Sequence, residues 1–305
     1  WPFPARMKTE LQIDSVLLII AMALLMGGFV ILASASISIS NNAANNPFFY
    51  IQRQLVAAAI GAVAGFICLF IPMRLWRSLG PLILFVGFML LIVVLIPGIG
   101  HEVKGSTRWV RLGVMNLQVS EPARLCFILY LAGYLVRRNK SLREEFTGFL
   151  RPMIVLSLAC VLLLLEPDFG ATVVLLATAM VMMFVAGARI RDFLVFSVIA
   201  VLTLVALAVV SPYRMQRITG FLDPWADPFD SGFQLTQSLI AIGRGEWFGV
   251  GLGDSVQKLF YLPEAHTDFV FAVYAEEFGL LGSFVLIALF LALLWRVFKL
   301  AMRAA

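Results

Sequence analysis

Between Tyr261 and Gly282 the chain reads YLPEAHTDFVFAVYAEEFGLLG, which gathers Glu264, His266, Asp268, Glu276 and Glu277 with no Lys or Arg among them. The apolar run Leu280 to Trp295 continues from it. Carboxylates at the mouth of a membrane span are costly to keep there and mark a functional site by default. A carboxylate so placed can take a proton from a substrate hydroxyl. Asp268 has a plainer use too, since beside a helix N-terminus it would favour the macrodipole. Glu276 and Glu277 lie two turns further in, where that use fades.

The elements that must position these groups are apolar. Hydrophobic residues make up 61% of the 305, charged residues only 13%, and the mean hydropathy is +0.96. A soluble domain does not have this balance; a polytopic membrane protein does. The formal charge of +5 therefore carries no message about nucleic acid, and no nucleic-acid partner is expected. Cys68, Cys126 and Cys160 all fall inside apolar runs and read as small buried hydrophobes. With only His101 and His266 present, a histidine-rich metal site is excluded.

Apolar runs of bilayer length give spans at 15–36, 55–71, 81–96, 123–136, 152–165, 171–186, 193–210 and from about Asp268 to Trp295. The fold class is an all-α polytopic membrane protein of about eight transmembrane helices, a single integral membrane domain over 1–305 with one large loop at 211–267. Ala33-Ser34-Ala35 mimics a signal-peptidase site, but the run is too long for a signal peptide and more spans follow, so no cleavage is expected. Ser120-Glu121-Pro122 reads as a helix start. Arg124, three residues after Glu121, points to the same side of that helix. Glu166-Pro167-Asp168-Phe169-Gly170 breaks two short apolar runs. It is either an external turn or irregular backbone lining a cavity. In the long loop, Phe233 to Ile242 has the spacing of a short amphipathic helix, and the glycines from Gly243 to Gly253 supply turns. A continuous helix from Asp268 to Trp295 would be about 40 Å long, against a lipid core of about 30 Å. Asp268 is therefore expected to stand above that core.

Basic residues orient the chain. Arg6, Lys8, Arg74, Arg77, the Arg137–Arg151 connection, Arg189, Arg191, Arg296, Lys299 and Arg303 all fall on one side. The positive-inside rule puts both termini in the cytoplasm, with the acidic stretch and long loop facing outward. That outer side then gathers Lys104, Arg108, Arg111, Arg124, Arg214, Arg217, Arg244 and Lys258 with Glu121, Glu166, Asp168, Glu264 and Asp268. The planar fork of Arg matches phosphate. This mixture suits a polar, anionic substrate carried on a lipid tail, and it also suits structural ion pairs holding long loops.

Five blocks, in order along the chain, are similar to one family. They are GSTRWVRLG (105–113), LQVSEPARL (117–125), EPDFGA (166–171), the DPWADPFDSG…GDSVQKL run (223–259) and YLPEAHTDFVFA (261–272). Together they resemble the SEDS family of shape, elongation, division and sporulation proteins, and its division branch more than its elongation branch. The resemblance implies a peptidoglycan glycosyltransferase that polymerises lipid II during septal cell-wall synthesis and releases undecaprenyl diphosphate. It places the family's outward aspartate at Asp268, as the base that deprotonates the acceptor sugar hydroxyl, with burial or Glu264 raising its basicity. Substrate contacts are expected from Arg108 and Arg124, then Arg214 and Arg217, with Glu121, Asp168, Glu264 and His266 ordering the site. A divalent cation, Mg2+ or Mn2+, is consistent with such chemistry, but no ligand set can be read. Implied partners are the bilayer itself, a class B penicillin-binding protein of the FtsI transpeptidase kind, and small single-span proteins like FtsQ, FtsL and FtsB. The implied location is the bacterial inner membrane at the division septum, with a periplasmic active site. Two other readings stay open: a lipid II flippase and a non-catalytic division scaffold. The family usually runs to about ten spans against about eight here, so site residues in later spans cannot be named.

Overall fold

A computed structural model describes residues 14–103, 105–112, 115–259 and 261–304. Arg6, Lys8 and Lys104, used above for orientation and for the outward charge set, lie outside the described residues. In chain order the elements are α1 (Ser15–Ala44), α2 (Phe49–Phe70), α3 (Met73–Ser78), α4 (Gly80–Val94), β1 (Gly100–Val103), β2 (Ser106–Leu112) and β3 (Met115–Gln118). They continue with α5 (Ser120–Arg137), α6 (Asn139–Glu144), α7 (Phe146–Leu165), α8 (Phe169–Val185), α9 (Ile190–Val209), α10 (Pro212–Leu222), α11 (Phe233–Arg244) and α12 (Val270–Ala304).

The apolar runs became helices as expected. Five of them, α1 over Ser15–Ile37, α2, α7, α9 and α12, are long and apolar enough to cross a bilayer. Helices α4 and α8 are apolar but shorter. Helix α5 has the length but carries Glu121, Arg124 and Arg137. Large side chains stay uncovered along these helices: α2 buries none of its residues, and Leu194, Val198, Leu202 and Val205 are exposed along α9. In water such faces would drive aggregation; in lipid they match their solvent. The protein is an α-helical multi-pass membrane protein.

Three local features differ from the expectation. The connection between the expected spans 81–96 and 123–136 carries strands: β1, β2 and β3 form an antiparallel sheet in that order, with Trp109 paired to both His101 and Gln118. The long loop contains α10 as well as the expected helix, α11. And α7 starts at Phe146, ahead of Pro152, which lies inside it. Proline has no N–H to give the carbonyl four residues back. That carbonyl, of Gly148, accepts the Tyr134 hydroxyl instead, at 2.9 Å.

The chain divides into two compact units, Ile60–Pro212 and the pair Trp1–Ala59 with Tyr213–Ala305. The first is centred on α4, α5, α7 and α8, whose Leu91, Phe127, Leu131, Phe149, Leu156 and Leu175 are buried together. Gly87 lets α4 approach α5, since a Cβ there would press on Cys126 and Phe127. In the second unit Ile31 and Ala35 of α1 and Ala241 of α11 pack with Ala272 and Val273 of α12. Arg296 of α12 also holds Asp14, just before α1, through contacts of 2.9 and 2.6 Å. Those bonds keep the Asp14 carboxyl down at about 2.

Candidate active site

In the unit Ile60–Pro212, strand β2 and the α7–α8 turn bring together charges that are far apart in sequence. Asp168 is the N-cap of α8, where its Oδ1 accepts the Ala171 N–H at 3.0 Å. Its Oδ2 accepts the Ser120 hydroxyl at 3.2 Å and lies 3.2 Å from Nη1 of Arg108. Asp168 is 4% exposed and Glu166 is fully buried. The turn therefore turns both carboxylates inward while Pro167 between them stays exposed. The Ser106 hydroxyl holds the Glu166 carbonyl at 2.6 Å, yet neither carboxyl oxygen of Glu166 has a hydrogen-bond partner. Burial, and then the nearby Asp168, push the Glu166 carboxyl up to about 8, with Arg108 pulling the other way. It is a neutral acid at neutral pH, which is how a carboxyl without partners can stay buried. Arg124 pairs with Glu121 one turn away on α5, as the spacing foretold. Arg108 and Arg124 each keep part of the side chain exposed, 32% and 27%.

The other unit divides the acidic stretch in two. Glu276 and Glu277 are buried in α12. Glu276 accepts the Ser255 hydroxyl at 2.5 Å and the Val256 and Gln257 N–H groups at 3.1 and 3.4 Å, with Arg244 Nη1 at 3.5 Å. Glu277 pairs with Lys258 at 2.7 Å. Lys258 and Arg244, expected among the outward cations, are thus committed to these two carboxylates. No local spacing marks this pairing, because Lys258 and Glu277 lie on different segments.

Glu264, His266 and Asp268 stay with the loop that precedes α12. Glu264 has a left-handed backbone, φ 57°. Its carbonyl accepts the Thr267 and Phe269 N–H groups at 3.1 and 3.2 Å, and its side chain accepts the Thr267 hydroxyl at 2.8 Å. The His266 ring rests on Tyr50, centroids 4.6 Å apart. Asp268 projects from this knot and is exposed, so the burial expected for it is absent. Arg214 and Arg217 sit on α10, with Arg217 over the Tyr213 ring at 4.6 Å.

Helix α12 is not continuous, which corrects the single 40 Å helix of about that length expected from the sequence. Gly279 breaks it with φ 66° and ψ −166°, and the glycine-rich run fills the break. Val250 and Gly251 donate to the freed carbonyls of Glu276 and Glu277 at 2.9 and 3.1 Å. Leu280 and Leu281 donate to the carbonyls of Glu246 and Trp247 at 2.8 and 3.1 Å. These four bonds supply partners for groups that the break frees, as low-dielectric surroundings demand. Among the described residues no three His, Cys, Asp or Glu side chains gather in a way that could hold a metal ion.

A family model described as "Cell cycle protein", that of the FtsW, RodA and SpoVE proteins, matches residues 14–305. The chain belongs to this family. Its FtsW relatives include the "Probable peptidoglycan glycosyltransferase FtsW" of Alkalilimnicola ehrlichii, 55% identical over 285 residues, 93% of this chain and 71% of the relative. The protein of the same name from Nitrosococcus halophilus is 54% identical over 286 residues, 94% and 74% of the two chains. Among solved structures, a chain of a peptidoglycan synthase complex coordinating polymerization and crosslinking superposes with a TM-score of 0.74 at 30% identity, covering 95% of this chain and 79% of that one. The RodA rod-shape protein of Thermus thermophilus gives 0.65 at 29% identity, covering 96% and 77%. The family resemblance drawn from the five sequence blocks is borne out.

Proposed function

We propose that this protein is a peptidoglycan glycosyltransferase that polymerises lipid II, with Asp268 as its general base. The names of the FtsW relatives support the activity. The observation that carries the assignment of the base is the position of Asp268, an exposed carboxylate at the end of a loop otherwise tied down by hydrogen bonds. In the reaction, Asp268 takes the proton from the 4-hydroxyl of the acceptor GlcNAc. The oxygen forms a bond to the anomeric carbon of the donor MurNAc, the bond from that carbon to the diphosphate breaks, and undecaprenyl diphosphate leaves. Arg108 and Arg124 would stabilise the charge on the leaving diphosphate, with Arg214 and Arg217 on α10 next in line. Glu121 and Asp168 hold those two arginines in place. Glu264 and His266 shape the turn that presents Asp268. The described residues do not supply a ligand set for Mg2+ or Mn2+, and no step here runs through a metal. Magnesium in phosphate chemistry is commonly held by the substrate phosphates with few protein ligands, so a divalent cation would arrive with the diphosphate.

The reading extends to the inner membrane at the division septum, with both termini cytoplasmic and Asp268 periplasmic. Its partners would be a class B penicillin-binding protein and FtsQ-, FtsL- and FtsB-like proteins. A second reading, lipid II transport, draws on the break in α12, because interrupted helices are a hallmark of transporters. One variant separates the two. Asp268→Asn keeps the shape but removes the base, and loss of a general base commonly costs about 10²–10⁴-fold. The purified variant with its partner should make no long glycan on a gel, while lipid II transfer across liposomes stays as in the wild type. Long glycan from Asp268→Asn would sink the assignment of the base. A wild type that moves lipid II and never polymerises it would sink the enzyme reading.

A further inference from the structure

We infer that Lys258 and Glu277 are positioning residues for the Asp268 carboxylate, an inference that rests on Asp268 being the base. The loop from Ser255 to Phe269 leaves and rejoins the same stretch of α12. At its start, two adjacent carboxylates of that helix take hold of four consecutive residues. Glu276 binds Ser255, Val256 and Gln257. Glu277 Oε1 then accepts Lys258 Nζ at 2.7 Å and the Ser34 hydroxyl at 2.5 Å. Lys258 Nζ also reaches the Ser34 oxygen at 2.8 Å, closing a three-membered ring with α1. Lys258 is 6% exposed and Glu277 1%. Further along, Leu262 and Ala265 are buried against Ile31, Ala35, Ala272 and Val273, and the Glu264 turn fixes Thr267 and Phe269. Among the described residues between the ring and Asp268, the path is thus held at Leu262, at Ala265 and at the Glu264 turn, and Asp268 is exposed.

A buried ion pair is a poor way to gain stability, since apolar side chains of the same volume do as well or better. What the pair does provide is one geometry. Nζ can satisfy Glu277 and Ser34 together only with the loop in one register, whereas an apolar contact would tolerate sliding. Misplacing a reacting group by about 1 Å can cost about 10²-fold in rate, so a fixed register has catalytic value.

The test replaces the pair by apolar side chains, Lys258→Met with Glu277→Leu, which removes the register without leaving a charge buried alone. In the purified complex with lipid II, the double variant should keep its thermal midpoint within a few degrees and its KM within about threefold. Its kcat should fall by about 10-fold or more. Added to Asp268→Asn, the same pair of changes should cost nothing further, because residues acting as a unit are not additive. Wild-type kcat in the double variant, or an equal fold loss on the Asp268→Asn background, would overturn the inference. Should the double variant fail to insert, Lys258→Arg takes its place. It keeps the charge and distorts the ring, so a loss of kcat at unchanged KM is expected and full activity overturns the proposal. A wild type that makes no glycan would overturn the reading of Asp268 as base, and this inference with it.

Discussion

Glu166 is the least satisfied acid among the described residues, with both oxygens buried and unpartnered. Its carboxyl is raised from 4.5 to about 8, and the sign of the consequence follows. Below about 4.5 the folded and unfolded chains both hold the proton, and stability is at its fullest. As pH rises toward 8 the unfolded chain ionises first, so stability falls across that window. Thermal midpoints in detergent from pH 5 to 9 should decline, and Glu166→Gln should flatten the decline and be the more stable protein at the alkaline end. A wild-type curve with no such slope would mean that the carboxyl is not held neutral. Arg124 offers a cleaner functional probe than Arg108. Its ion pair with half-exposed Glu121 is of a kind that adds little stability, whereas Arg108 neutralises the buried Asp168. Arg124→Ala should therefore lose turnover with little change in thermal midpoint, and Arg124→Lys should recover it only in part, having charge without the planar fork. Equal turnover in all three proteins would reduce Arg124 to a surface pair. The Glu121–Arg124 pair was legible in the sequence because helical spacing is local. The ring around Lys258 was not, because Ser34 and Glu277 are 243 residues apart.

At the scale of elements, the sequence shows burial better than it shows backbone continuity. Apolar length located the spanning helices and periodicity located α11. The same signal ran straight through Gly279, since the residues on both sides are apolar and nothing in composition marks where a carbonyl loses its partner. The sheet at 100–118 escaped for another reason: its strands are short and charged residues interrupt their alternation. The glycines at the break have a definite cost of replacement. A Cβ on Gly279 would collide with the backbone of Phe248 and Gly249, and one on Gly249 with the Glu277 carbonyl. Holding a residue with a side chain in such a backbone conformation costs of order 1–3 kcal/mol, before any collision is counted. Gly279→Ala should insert poorly or melt several degrees lower, while Gly243→Ala, with nothing near its Cβ, should be neutral in the same assay. A neutral Gly279→Ala would show that the break is not required.

For the whole molecule, orientation is the open quantity, and thiol labelling decides it. Cys68, Cys126 and Cys160 are all free and must first be replaced. A cysteine at Lys140, highly exposed on α6, should be shielded from an impermeant reagent in intact cells, and one at Asp230 should react. The reverse pattern would put Asp268 on the cytoplasmic side. Partnership is tested by co-purification in detergent, where a class B penicillin-binding protein is expected to follow this chain. Full activity without it, and no complex recovered, would count against the pairing. The hydrogen bonds that bridge the break in α12 have one more effect. They bring the chain at Val250 back against the chain at Glu276, so everything between hangs from a closed neck. A loop closed at its neck can lengthen at an entropic cost that grows only with the logarithm of its length. Tied at its neck and, further along, to α1 and α11, the segment bearing the carboxylate should have amide protons that open and close to solvent as a single cooperative unit.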